Sequence, residues 1–182
     1  MLSSLVPYQR AVSRDASTWY MGSLVTFLAE SKDTGGSFFL NEVTMKPGNE
    51  PPPHLHERED ELFYVLEGAF DVFVGDQAFE LQTGGCVFLP RLRPHGFIVR
   101  SPRFRMLALF QPGGIDGYFR SMSTPPADEP DLPSEARTYS TSDMDPIARG
   151  FANYGVRFLS PDQIAEQMPS YAAAMRKKTN GR

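Results

Sequence analysis

The chain has one cysteine, Cys86, among its 182 residues, so no disulfide can form within it and a reducing compartment is expected. Cys86 precedes Val87, Phe88 and Leu89, apolar neighbours that predict a buried structural thiol. Lysine and arginine form no run before the tail Arg176-Lys177-Lys178, and the formal net charge is −4. A nucleic-acid partner, whose footprint is a basic stripe, is therefore not expected. Nor does any stretch approach the roughly 20 apolar residues that cross a bilayer, so no membrane partner is expected. The first residues lack the basic stretch and apolar run of a secretory signal, which makes cytoplasmic the expected location. Histidine is scarce: the chain has three, His54, His56 and His95. What is plentiful is apolar material, 41% of residues including 14 phenylalanines, enough for a packed core in one domain spanning 1–182.

From about residue 23 to 111, Gly, Pro and alternating apolar and polar positions dominate, the pattern of many short strands. Strands are expected near 23–30, 37–46, 53–56, 61–66, 69–74, 77–81, 86–89, 95–100 and 103–110. Gly75-Asp76 reads as a two-residue hairpin loop, with Val72, Val74, Phe79 and Leu81 as its half-buried flanks. An all-β sandwich or barrel follows. Helical spacing enters only in the extension from about 113 to 182. Ile115, Tyr118, Phe119 and Met122 share one helical face, and Thr124-Pro125-Pro126 ends it. Residues 124–137 read as a proline-rich loop. Ser142 and Asp145 suggest a helix start with Ile147 and Phe151 buried, and Gly155 an end. Ser160-Pro161-Asp162-Gln163 carries a capping box that opens a last helix.

All three histidines fall inside the expected barrel. His54 and His56, two apart on a strand, point to one face. Glu61 follows across a turn, and His95 opens another strand after Pro94. The intervening Glu57-Arg58-Glu59-Asp60 reads as a solvated turn. Three imidazoles and a carboxylate inside an apolar barrel need a partner, and a divalent transition metal meets that need. His-x-His alone recurs by chance; the fuller spacing carries more weight.

That spacing resembles the cupin superfamily. Its first motif runs from Gly48 through His54-Leu55-His56 and Glu61 to Gly68, with every position matched. Its second is met at Gly84, Pro90 and His95, with Leu92 where Gly is usual and Val99 where Asn is usual. The resemblance implies a single jelly-roll (double-stranded β-helix) barrel over about 23–111 with short C-terminal helices. It also implies metal ligation by His54, His56, Glu61 and His95, the ion being iron, manganese, nickel, cobalt, copper or zinc. Strand parity from Glu61 and His95 turns Phe63, Val65, Phe97 and Val99 toward the metal cavity, where they either line a substrate pocket or fill the barrel.

The segment from Gln111 to Arg120, and the later Tyr154-Gly155-Val156-Arg157-Phe158, resemble single-domain quercetin-dioxygenase-like cupins. This implies dioxygen and a flavonol or related enolisable aromatic as substrates, with Glu61 as catalytic base. A metal-dependent binder without turnover is the first alternative. A sugar-phosphate isomerase is the second, with Arg103 and Arg105 as the phosphate contacts. A homodimer is expected through sheet edges, with Ser23 to Ala29 as a candidate edge.

Overall fold

The computed structural model describes residues 5–125, 130–133 and 141–180, apart from the side chains of 141, 142, 179 and 180. Among the described residues, ten strands precede the helices: β1 (Ser17–Tyr20), β2 (Ser23–Ala29), β3 (Phe39–Met45), β4 (His54–His56), β5 (Asp60–Glu67), β6 (Ala69–Val74), β7 (Gln77–Gln82), β8 (Cys86–Leu89), β9 (His95–Val99) and β10 (Phe104–Gln111). Then come α1 (Asp116–Met122), α2 (Thr141–Asn153), β11 (Val156–Phe158), α3 (Pro161–Gln167) and α4 (Pro169–Asn180). The strands form two antiparallel sheets, β1-β2-β3-β10-β5-β8 and β11-β4-β9-β6-β7, the layered all-β cupin architecture.

The alternation that marks the strands in the sequence also points their side chains. On β5, Glu61, Phe63 and Val65 face inward; on β10, Phe104, Met106, Ala108 and Phe110 do. β9 is buried at all five positions because its outer side is covered too. There Phe73, Ile98 and Met168 make a second apolar cluster, against which Ile164 and Tyr171 of α3 and α4 pack. Gly68 joins β5 to β6 at φ +89°, and a Cβ there would run into Ser101 and the Arg103 carbonyl, so this turn admits only glycine.

Several expectations need correction. Cys86 is exposed: on β8, Val87 and Leu89 point inward while Cys86 and Phe88 point out. β2 offers no edge, since it lies between β1 and β3. β7 is an edge strand whose Phe79 stays exposed, and Met122 is exposed at the end of a short α1. The last helix is two helices, broken between Gln167 and Pro169, although the Ser160–Gln163 capping box that opens it is present. Strands β1 and β11 were not anticipated. Of the expected loop, 126–129 and 134–137 lie outside the described residues, as does the Ser142 side chain. Among the described residues, no helix is long and apolar enough to cross a membrane.

Candidate metal centre

Strand β4 is only three residues long, yet it is fixed on both sides. His54 pairs with His95 on β9, while Val156 and Phe158 of β11 pair with His56 and His54. Loop bonds add to this: the Leu92 N–H donates to the His56 carbonyl, and the Glu57 N–H to that of Gly155. Glu61 comes from β5 in the other sheet. The two sheets thus bring together His54, His56, Glu61 and His95, all buried, each offering a ligand atom within 4.8 Å of the others.

The imidazoles are oriented from behind. His54 Nδ1 lies 2.8 Å from the Pro52 carbonyl, His95 Nδ1 3.2 Å from that of Arg93, and His56 Nδ1 3.1 Å from Glu59 Oε2. Each acceptor takes a hydrogen bond from Nδ1 and so turns Nε2 toward the centre, where it can ligate once unprotonated. Glu61 Oε1 sits 2.6 Å from His56 Nε2 and 3.4 Å from His95 Nε2. Close as they are, these approaches lack hydrogen-bond geometry, and neither Glu61 Oε1 nor His95 Nε2 finds a hydrogen-bond partner. Lone pairs facing a carboxylate oxygen away from water are stable only with a cation or extra protons between them. The donor set fits a divalent transition metal.

Electrostatics agree. Burial, reinforced by the charges of His95 and His56, pushes His54 down to about 3, so its ring is neutral. Burial would also lower His56, but Glu61 and Glu59 outweigh it and raise the ring to about 9. Burial would raise Glu61; His56 and His95 overcome it and hold the carboxyl well below its ordinary value.

A cavity of about 80 Å³ opens onto the cluster, walled mainly by apolar side chains. Phe63 and Phe97 line it; Val65 and Val99 do not. The rings of Phe63 and Phe97 meet edge-on, 6.0 Å apart, and close the floor, so the two valines lie beneath it in the core. Phe119 of α1 and Phe151 of α2 cover the other side with Tyr20, their rings packed edge to face.

Sequence reasoning missed two residues here. Glu59, read as solvated, is 3% exposed and braces His56; its signal was its place three residues on. Asn41, on the cavity wall, gave none. Arg103 and Arg105 lie away from the cavity, paired with Asp131 and with Glu42 and Glu67.

Residues 41–111 match the Cupin domain family. Quercetin 2,3-dioxygenase of Bacillus subtilis (strain 168) is 28% identical over 98 residues, 54% of this chain and 29% of the relative. The Aspergillus japonicus enzyme of the same name is 29% identical over 101 residues, 51% of this chain and again 29% of the relative. The chain thus spans under a third of these relatives. Among solved structures, the Streptomyces protein PAC13, determined with uridine, superposes with a TM-score of 0.50 at 14% identity, over 71% of this chain and 94% of that one, a likeness of fold alone. Barrel, motif spacing and family match together show a cupin domain at residues 41–111, and the chain carries a sequence likeness to quercetin 2,3-dioxygenases.

Proposed function

We propose that the protein is a metal-dependent dioxygenase acting on an enolisable aromatic small molecule of the flavonol kind. The observation that carries this reading is the buried three-histidine, one-carboxylate cluster with unpartnered lone pairs, opening onto an apolar cavity. His54, His56, His95 and Glu61 would hold the ion, which would supply Lewis acidity toward a substrate hydroxyl and, if redox-active, an electron path to dioxygen.

The chain's own residues do the rest. Glu61, held ionised, accepts the proton of the substrate hydroxyl at its carboxylate. Glu59 keeps the proton on His56 Nδ1 and so fixes that ring. The ion's two charges less that of Glu61 favour an anionic enolate over a neutral ligand. Phe63 and Phe97 provide a flat apolar floor, and Phe119 and Phe151 exclude water. At about 80 Å³ the cavity is smaller than the roughly 150 Å³ that holds benzene elsewhere. An aromatic substrate therefore enters only as Phe119, Phe151 or Tyr20 yields.

Metal analysis of untagged protein beside His54→Ala and Glu61→Ala comes first, followed by oxygen uptake with flavonols and simple diketones. About one transition metal per chain, lost in both variants, together with oxygen consumption, supports the reading; metal-loaded protein inert toward all of them refutes the dioxygenase and leaves a binder without turnover. The sugar-phosphate alternative loses its support, because neither Lys nor Arg is among the described residues lining the cavity. For the homodimer, the outer face of the six-stranded sheet carries Leu62, Tyr64, Phe88, Leu107 and Leu109, and equilibrium sedimentation of Phe88→Lys against wild type tests it.

A further inference from the structure

Asn41 presents a polar group to an apolar wall. It lies on β3, faces inward with Val43 and Met45, and is 1% exposed. Its register neighbours across the sheet are Ala108 and, one strand further, Phe63. Among the described residues lining the cavity, it alone outside the histidine–glutamate cluster has a buried side-chain oxygen with no hydrogen-bond partner. Two other polar groups in the lining are engaged: the Tyr20 hydroxyl with that of Tyr118 at 2.9 Å, and Asn49 Nδ2 with the Gly22 carbonyl at 2.7 Å.

An unmet carboxamide oxygen costs stability that a valine or leucine at this strand position would not. Its position gives it a use. Glu61 pairs with Phe110 on β10, one same-face step from Ala108, so Asn41 and Glu61 are two strands and one step apart. Ideal sheet spacing makes that about 12 Å between Cα atoms, which a ring system bridges once both side chains reach inward. Between them Ala108, the small residue of the row, leaves room for a ring. Turned either way, the carboxamide offers an acceptor and two donors and no charge, which suits a hydroxyl and gives an anion no counter-charge.

We propose that Asn41 is a second anchor of the site: it takes a hydroxyl at the end of an aromatic ligand distant from the metal cluster and so selects hydroxylated rings. The placement of the ligand's other end rests on the function proposed above; the hydrogen bond to Asn41 does not.

The test measures dissociation constants of phenol and toluene, near-isosteres differing in the hydroxyl, on wild type, Asn41→Leu and Asn41→Thr. The preference for phenol relative to toluene should fall about fivefold in Asn41→Leu and be partly kept in Asn41→Thr, the effect of one hydrogen bond. An unchanged ratio in Asn41→Leu, or no binding of either fragment to wild type, overturns the proposal. So does a large drop in Tm in both variants, which would make Asn41 part of the fold's own bonding. Quercetin against 3-hydroxyflavone, on metal-loaded protein, is the second arm. If the fragment ratio responds while neither flavonol binds, the flavonol reading fails and the Asn41 anchor holds; if flavonols bind and no ratio responds, the reverse is true.

Discussion

Metal uptake at pH 7.5 should expel close to one proton from His56. In the metal-free protein this ring lies between two carboxylates, Glu59 Oε2 3.1 Å from Nδ1 and Glu61 Oε1 2.6 Å from Nε2. They overcome the effect of burial and raise the ring to about 9. At pH 7.5 most of His56 is then protonated. A coordinating imidazole must give up its Nε2 proton, so binding releases it. His54, pushed down to about 3, has no proton to lose, and Glu61 is already ionised. The apparent metal affinity therefore rises about tenfold per pH unit between roughly 7 and 9 and flattens above. Calorimetric titration in two buffers of well-separated ionisation enthalpy reads the proton count directly. Glu59→Gln keeps an acceptor for Nδ1 but removes one of the two charges, so its release should fall and its affinity drop about 10- to 100-fold. Wild-type release below about 0.3 proton, or release unchanged in Glu59→Gln, would refute the placing of that proton on His56.

The metal-free fold should lose stability in acid for a related reason. His54 is lowered in the folded state, so its penalty is absent above an unfolded value near 6.5 and grows as pH falls toward 3; by pH 5 it reaches about 2 kcal/mol. Urea midpoints at pH 7.5 and 5 should converge in His54→Asn relative to wild type. His56 works in the opposite sense, its stabilisation full below 6.5 and lost as pH rises through about 9. Leu92 holds φ +64° while 62% exposed, so Leu92→Gly should raise stability by about 0.5–1 kcal/mol, backbone strain relieved less the added freedom of the unfolded chain; a clear loss in chemical denaturation would contradict this. Val65→Ala should cost about 2 kcal/mol with metal content and ligand affinity unchanged, because Val65 is in the core and not on the cavity. Phe63→Ala should cost about 3–4 kcal/mol and also change ligand affinity, since it opens the floor.

Most of the barrel was legible because its signal is local. A strand two residues in period writes its inner face into the sequence, and nine strands were readable from that pattern with their turns. What failed has a tertiary cause. Cys86 sits in an apolar run, but on a four-residue strand parity outweighs composition, and the outward positions are Cys86 and Phe88. β11 is three residues long, too short for alternation to register, and is a strand only because β4 offers it an edge. Phe119 and Phe151 showed their helical spacing, yet periodicity names a buried face without saying that what it buries is the mouth of a cavity.

The candidate ligands were readable for a different reason from the groups that orient them. His54, His56 and Glu61 lie on consecutive strands joined by one turn, so chain spacing nearly fixes their geometry, and His95 adds a single long-range pairing with His54. The orienting groups obey no such rule. Two are backbone carbonyls, of Pro52 and Arg93, which residue identity does not reveal. The third, Glu59, lies in an acidic run whose average is solvated: Glu57 pairs with Arg157 and Asp60 with Arg91 near the surface, while Glu59 turns inward. Nothing in the composition of four successive charged residues distinguishes the one that is 3% exposed. Asn41 is further still from any sequence signal, because what makes it notable is the missing partner, and a missing partner is a property of the whole wall around it.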